Sequence, residues 1–108
     1  MNNEMYSELV EEIKKALGDR IISIILYGSV ARGTDTPESD IDVAVIVKSA
    51  LDLIEEDALS NAVVDMNLKY DKVFSVIDIE DEIISKWGDV IPFYKNVRKE
   101  GIVLWKAA

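Results

Sequence analysis

Residues 21–47 read IISIILYGSVARGTDTPESDIDVAVIV, which is two apolar runs separated by a polar segment rich in glycine and hydroxyl side chains. The first run, Ile21–Tyr27, is apolar on both faces and rich in β-branched residues, so it predicts a buried central strand. The second run, Ile41–Val47, is almost wholly apolar and predicts a second strand. We expect the intervening residues 28–39 to form a loop with one helical turn near residues 30–32.

Helical periodicity is found on both sides of these strands. An apolar stripe at helical spacing predicts an amphipathic helix from Met5 to Leu17. Further along, the pattern predicts a helix over Ala50–Leu68, a third strand over Val73–Ile79, and shorter helices over Glu80–Trp87 and Val90–Lys99, with Gly101 ending the last regular element. The order αββαβα predicts an α/β (α+β) fold, a small mixed sheet flanked by helices. With 108 residues, we expect one domain, 1–108.

The composition excludes several kinds of chemistry. The chain has no cysteine and no histidine, which rules out a disulfide scaffold, a thiolate or imidazole metal site and a catalytic triad within this chain. An apolar fraction of 49% and a charged fraction of 31% indicate a folded protein rather than a disordered one. Carboxylates, hydroxyls, lysines and arginines remain as functional groups.

The net charge of −9 bears on the partners of the chain. An acidic surface repels a phosphate backbone, so we expect no direct binding to long nucleic acid. A small polyphosphate remains compatible, because a divalent cation can invert the local charge. The chain has neither a signal-peptide pattern nor an apolar run long enough to span a membrane, and we therefore expect a cytoplasmic protein without membrane contact.

Two aspartates, Asp40 and Asp42, stand at the head of the second strand. Side chains alternate along a strand, so these two carboxylates lie on one face and close together. At about 4 Å and an effective dielectric near 20, they repel each other by roughly 4 kcal/mol. Mg²⁺ is a hard cation that binds carboxylate oxygens and leaves positions open for phosphate. The pair therefore predicts a magnesium site.

The dipeptide Gly28-Ser29 follows the first strand directly. Glycine lets the backbone approach a phosphate closely, and the Ser29 hydroxyl adds a donor to the free backbone N–H groups. Alone, a Gly-Ser dipeptide is usually a turn, and an Asp-X-Asp sequence is usually a solvated strand end. Together, between two buried strands, they predict a site for a magnesium–nucleotide complex.

A family resemblance follows from this spacing. Gly28-Ser29, ten residues, and then Asp40-Ile41-Asp42 resembles the Gly-Ser-X10-Asp-X-Asp signature of the polymerase-β-like nucleotidyltransferase superfamily. The wider segments 26–33 and 39–42 are similar to its minimal nucleotidyltransferase (MNT) branch. The resemblance implies a nucleotidyltransferase fold and the transfer of a nucleoside monophosphate, with ATP as the nucleotide substrate.

The resemblance also implies roles for individual residues. Asp40 and Asp42 would bridge two Mg²⁺ ions, while Gly28 and Ser29 would contact the outer phosphates. Arg32 would offset charge on the leaving pyrophosphate or serve the structure only. Ser39, just before the aspartates, would hydrogen-bond either the loop or a phosphate.

The family pattern further implies a third carboxylate from a neighbouring strand. Three aspartates are candidates: Asp65, Asp71 and Asp78. Asp65 falls inside a predicted helix, and Asp78 lies near the far end of the third strand. Asp71 opens that strand at the end where the motif lies, so we expect Asp71 to ligate the second ion and orient the nucleophile, with Asp78 as the alternative.

The segment Trp87–Tyr94 is rich in aromatic residues. It is interpreted either as a cap on the small core or as a docking surface for another protein. Resemblance to the MNT branch implies a small helical HEPN-type or substrate-binding partner, with this chain as an antitoxin that transfers AMP to a tyrosine of the toxin. Two alternatives stay open. One is transfer to a small molecule such as an aminoglycoside, with a partner or a homodimer completing the site. The other is a non-catalytic module that binds and occludes its partner.

Overall fold

The computed structural model describes residues 3–108; residues 1 and 2 of the predicted domain lie outside that range. The elements in chain order are α1 (Asn3–Leu17), a 3₁₀ turn (Gly18–Arg20), β1 (Ile21–Tyr27), α2 (Gly28–Arg32), β2 (Ile41–Val47), α3 (Leu53–Tyr70), β3 (Phe74–Glu80), α4 (Asp81–Trp87), α5 (Pro92–Glu100) and β4 (Ile102–Lys106). Both strands predicted from residues 21–47 form with the predicted bounds, because each is a predominantly apolar run flanked by polar or glycine residues.

The four strands form one mixed sheet in the order β3-β2-β1-β4. β1 is antiparallel to both β2 and β4, whereas β2 is parallel to β3. The connection from β2 to the parallel strand β3 runs through α3, as a parallel pair requires a crossover. The predicted mixed α/β sheet flanked by helices is therefore confirmed.

The fourth strand was not predicted, and the expectation that Gly101 ends the last regular element is wrong. Residues Ile102–Lys106 pair with β1, with Leu26 opposite Ile102 and Ser23 opposite Lys106. Ile102 and Val103 are largely exposed, so this strand lacks the buried apolar pattern of the other three. Its formation depends on pairing with a segment almost eighty positions earlier in the chain, which local sequence does not reveal.

Helix α3 begins at Leu53, later than the predicted Ala50. The cause is a capping box at Asp52: its side chain accepts from the Glu55 N–H at 2.8 Å, and the Glu55 side chain accepts from the Asp52 N–H at 3.0 Å. The predicted apolar stripe is also only partly buried, since Ile54 is 81% exposed.

Two hydrophobic clusters lie on the two faces of the sheet. One includes residues of α1 and α3 together with Leu26, Val43 and Val45. The other includes Ala44 and Ile46 of β2, together with residues of α4 and α5. Because side chains alternate along β2, Asp42 falls on the α4–α5 face with Ala44 and Ile46. The fold thus places the motif carboxylate on the side of the sheet where α4 and α5 pack.

Candidate active site

The chain turns from β1 into α2 at Gly28. This residue has φ +74°, a left-handed conformation that favours glycine. A Cβ atom built at Gly28 would collide with Oδ2 of Asp42, so the backbone here lies directly against the motif carboxylate. The predicted helical turn near residues 30–32 is present, and it starts earlier, at Gly28 itself.

The loop between α2 and β2 is fixed by its own hydrogen bonds. The Thr34 N–H donates to the Ser29 carbonyl at 2.9 Å, which closes the end of α2. The Ser39 hydroxyl accepts from the Thr36 N–H at 2.9 Å, and the Ser39 N–H donates to the Thr36 carbonyl at 3.0 Å. Of the two roles considered for Ser39, the structure shows the loop contact. Ser39 thereby sets the entry of the chain into Asp40.

The two motif aspartates interact electrostatically. Asp42 is half-buried and Asp40 is exposed at the head of the strand. Burial raises the pKa of Asp42 above its usual range, the negative charge of Asp40 raises it further, and the positive charge of Arg32 lowers it. Two like charges therefore interact at the head of β2, and Asp42 lies beside the Gly28 turn.

Arg32 lies between the carboxylate pair and α5. Its Nη1 atom is 3.4 Å from Oε2 of Glu100, and this ion pair is largely exposed. Its positive charge also lowers the pKa of Asp42, against the larger effects of burial and of Asp40. A guanidinium at this position can neutralise part of the negative charge of a bound polyphosphate.

The structure does not bring the predicted third carboxylate, Asp71, into this group. Asp71 caps the C-terminus of α3 in a left-handed conformation and is exposed. The alternative Asp78 pairs with Val45, on the opposite face of the sheet from Asp42, where burial and the neighbouring Asp78 raise the pKa of Glu56 of α3. Within residues 3–108, no three acidic side chains are grouped to hold a metal ion.

Two neighbours of Asp42 went unnoticed in the sequence. On one side Asp42 pairs with Tyr27 of β1, and on the other it pairs with Ser75 of β3. The position of Tyr27 directly before Gly28 is a signal that could have identified it. Ser75 offers no such signal, because the register of two parallel strands joined through a helix cannot be derived from local sequence.

An aromatic wall borders the carboxylates. The rings of Tyr27 and Phe93 meet edge to face with centroids 5.6 Å apart, and Phe93 meets Tyr94 at the same distance. Burial and, secondarily, the charge of Asp42 raise the pKa of Tyr27, so this phenol stays protonated at neutral pH. Phe93 is 43% exposed and extends the wall to the surface of α5.

The donor set fits a hard divalent cation. Asp40 and Asp42 present carboxylate groups whose charges interact, and the pKa of Asp42 is raised first by burial and then by the charge of Asp40; a bound cation would offset both effects. The chain has no histidine or cysteine to favour a softer metal.

A comparison with known families identifies the family of the chain. A family model described as the nucleotidyltransferase domain matches residues 7–104 of the chain. The chain belongs to the nucleotidyltransferase family. A curated protein of Methanocaldococcus jannaschii, named "Putative protein adenylyltransferase", is 35% identical over 109 residues, which cover 97% of this chain and 100% of the relative.

Solved structures share the fold of this nucleotidyltransferase. A crystal structure of a toxin–antitoxin with AMP-PNP matches with a TM-score of 0.65 and 21% identity, covering 99% of this chain and 75% of that chain. A structure of a tri-AMPylated Shewanella oneidensis HEPN toxin in complex with an MNT antitoxin also matches with a TM-score of 0.65, at 18% identity, covering 99% of this chain and 74% of that one.

The resemblance predicted from residues 26–42 and the predicted class of enzyme are thereby confirmed: the chain is a nucleotidyltransferase. The site assembled from Gly28, Asp40 and Asp42 lies inside the matched segment. Across residues 3–108, the helices are all too short or too polar to cross a membrane.

Proposed function

We propose that the chain is a cytoplasmic, magnesium-dependent adenylyltransferase that transfers AMP from ATP to a hydroxyl group of a partner protein. The observation that carries the proposal is the close approach of the Gly28 backbone to the Asp42 carboxylate. This approach supports the proposal because a backbone suited to bind phosphate would lie next to a carboxylate suited to bind a cation, as transfer from a magnesium–nucleotide complex requires.

Each residue of the proposed site would have its own role in transfer of the nucleotidyl group. Asp40 and Asp42 would hold Mg²⁺, which when bound neutralises phosphate charge and polarises the α-phosphoryl group. The backbone N–H groups of residues 28 and 29 and the Ser29 hydroxyl would bind the outer phosphates, with Arg32 adding positive charge near the leaving group. The acceptor oxygen forms a bond to the α-phosphorus while the bond to pyrophosphate breaks, and the hydroxyl proton passes to solvent. The second Mg²⁺ ion implied by the resemblance, and Asp71 as its ligand, stay predictions.

A protein acceptor is supported by the surface next to the site. The stretch of residues 87–93, where α4 ends and α5 begins, is called the α4–α5 segment. It contains four exposed apolar side chains, with exposed fractions between 38% and 67%: Trp87, Val90, Ile91 and Phe93. This favours a docking surface over a core cap for the aromatic segment. The Methanocaldococcus jannaschii relative is named for protein adenylylation, and the solved complexes pair a similar fold with a toxin.

The proposed acceptor is a tyrosine of a small helical HEPN-type toxin, with this chain as its antitoxin. The direct test incubates the chain with ATP labelled at the α-phosphate, Mg²⁺ and the protein encoded by the adjacent gene. We expect label on a tyrosine of that protein, and no label with Asp42→Asn. The matched control is Asp78→Asn, the same exchange on the opposite face of the sheet, which should retain transfer.

Two other outcomes would select the alternatives. If a complex forms without label, and Asp42→Asn still neutralises the partner, the chain is a non-catalytic binding module. If label appears only on a cationic small molecule such as an aminoglycoside, the acceptor is small. The net charge of −9 is the observation that favours a small cationic acceptor, because an acidic surface steers cations toward the site.

A further inference from the structure

Ser75 is the β3 residue that lies opposite Asp42. In the parallel pairing of β2 and β3, Asp42 is opposite Ser75, Ala44 is opposite Ile77 and Ile46 is opposite Ile79. Ala44, Ile46, Ile77 and Ile79 all belong to the hydrophobic cluster under α4 and α5. The alternation along both strands therefore places the Ser75 side chain on the same face as Asp42, one strand spacing of about 4.8 Å away.

The other acids near this sheet edge do not compete for that position. Asp78 lies three residues beyond Ser75 and so falls on the opposite face, where it lines a pocket together with Glu56 of α3. Asp71 precedes the strand and caps α3 in a left-handed conformation. Consistently, residues 3–108 contain no group of three acidic side chains suited to a metal ion.

We infer that, within residues 3–108, the cation held by Asp40 and Asp42 has these two side chains as its only carboxylate ligands, and that Ser75 occupies the position from which a third ligand would complete this cation's site. This inference rests on the proposed function and deepens it. Ser75 supplies a neutral hydroxyl where a further charge would strengthen binding of a hard cation. It is a residue that limits the affinity of the site for the cation.

A gain-of-function variant tests the inference. Ser75→Asp adds a carboxylate beside Asp42, and we expect it to lower the dissociation constant for Mn²⁺ by about tenfold, because another negative charge at contact distance attracts a divalent cation. Binding is measured by calorimetry or by the electron paramagnetic resonance signal of free Mn²⁺. Ser75→Asn is the neutral counterpart and should not tighten binding.

Thermal unfolding gives a second measurement, which requires no enzymatic activity. Without metal, the added charge in Ser75→Asp should lower the midpoint of thermal unfolding, and Mn²⁺ should restore it by a larger shift than in the unaltered chain. The charge-matched control is Ser49→Asp, since Ser49 is exposed and follows the opposite end of β2. That variant should leave both the affinity and the Mn²⁺-induced shift unchanged.

The inference is overturned by either of two results. Equal Mn²⁺ affinities for Ser75→Asp and Ser49→Asp would show that Ser75 does not face the cation. A loss of Mn²⁺ binding in Asp71→Asn as large as that in Asp42→Asn would show that Asp71 already supplies a third ligand. Failure of the proposed function is distinguishable from both, because Mn²⁺ binding would then be insensitive to Asp42→Asn.

Discussion

Gly28 and Gly33 are two glycines with nearly the same backbone and different surroundings. Their φ values are +74° and +75°, so a side chain at either position is strained. At Gly28 a Cβ would collide with Asp42, whereas at Gly33 it would meet no atom within 4 Å. Substitutions at the two glycines can therefore distinguish the effect of backbone strain from the effect of displacing the Asp42 carboxylate.

We expect Gly28→Ala and Gly33→Ala each to destabilise the fold by about 1–2 kcal/mol because of the left-handed backbone, with the collision with Asp42 adding to the cost in Gly28→Ala only. Only Gly28→Ala should also reduce AMP transfer, by about 100-fold, because a carboxylate displaced by about 1 Å no longer holds the reacting groups in line. Chemical denaturation and single-turnover transfer measure the two effects. Equal losses of AMP transfer in both variants would show that Gly28 has no specific role in the active site.

The pKa of Asp42 gives a prediction of pH dependence. Its folded-state pKa is raised by burial and by Asp40, so the folded state binds this proton more tightly than the unfolded chain. Stability from this group is present below the unfolded pKa and is lost as the pH rises through the raised folded pKa.

Asp42→Asn should therefore stabilise the metal-free protein at pH 7 by up to about 1 kcal/mol, reduced from the value for a dry site because the group is partly solvated. The gain should vanish at a pH below the unfolded pKa of aspartate. Denaturation curves of both proteins from pH 3.5 to 8 provide the measurement. A variant less stable than its parent at pH 7 would indicate a structural role for the Asp42 charge.

The sequence predicted the strands that are formed by apolar runs. It did not predict the strand that forms only by pairing with a segment far away in the chain. β1 and β2 are apolar runs that contain one polar residue each, Ser23 and Asp42, and their bounds were predicted correctly. β4 is short and partly exposed, and only its partner β1 makes it a strand. The same limit applies to the site: the short spacing of Asp40 and Asp42 at the head of β2 is visible in the sequence, whereas finding Ser75 requires the register between β2 and β3.

The start of α3 gives a prediction for a local element. Asp52 accepts from the Glu55 N–H, one of the backbone donors that a helix N-terminus leaves without a partner. Asp52→Ala should destabilise the protein by about 1 kcal/mol. Asp57→Ala, an exposed position in the same helix, is the control and should change the free energy of unfolding by less than about 0.5 kcal/mol. Urea denaturation that ranks the two variants equally would contradict the capping role.

Charge is unevenly distributed over the whole molecule. The chain carries a net charge of −9, yet residues 86–99 contain Lys86, Lys95, Arg98 and Lys99 against a single acid, Asp89. This basic stretch includes the exposed apolar residues of the α4–α5 segment, which adjoins the carboxylates through Phe93 and Tyr27. Such a surface suits a partner whose apolar patch is bordered by acidic side chains.

Two exposed valines test this surface. Val90 lies in the α4–α5 segment and is 67% exposed, and Val103 lies in β4 and is 57% exposed. Val90→Ser should weaken binding of the protein acceptor by about tenfold, which is about 1.4 kcal/mol. Val103→Ser should leave that affinity unchanged. The reverse ranking in a titration with the acceptor would place the docking surface at β4 instead.

The most direct measurement is a crystal structure of the chain with Mn²⁺ and a non-hydrolysable ATP analogue, in which anomalous scattering locates the metal. We predict a metal peak bound by the carboxylates of Asp40 and Asp42, with the triphosphate on the backbone of Gly28 and Ser29. Well-ordered nucleotide and metal bound elsewhere, with no density at this carboxylate pair, would contradict the account.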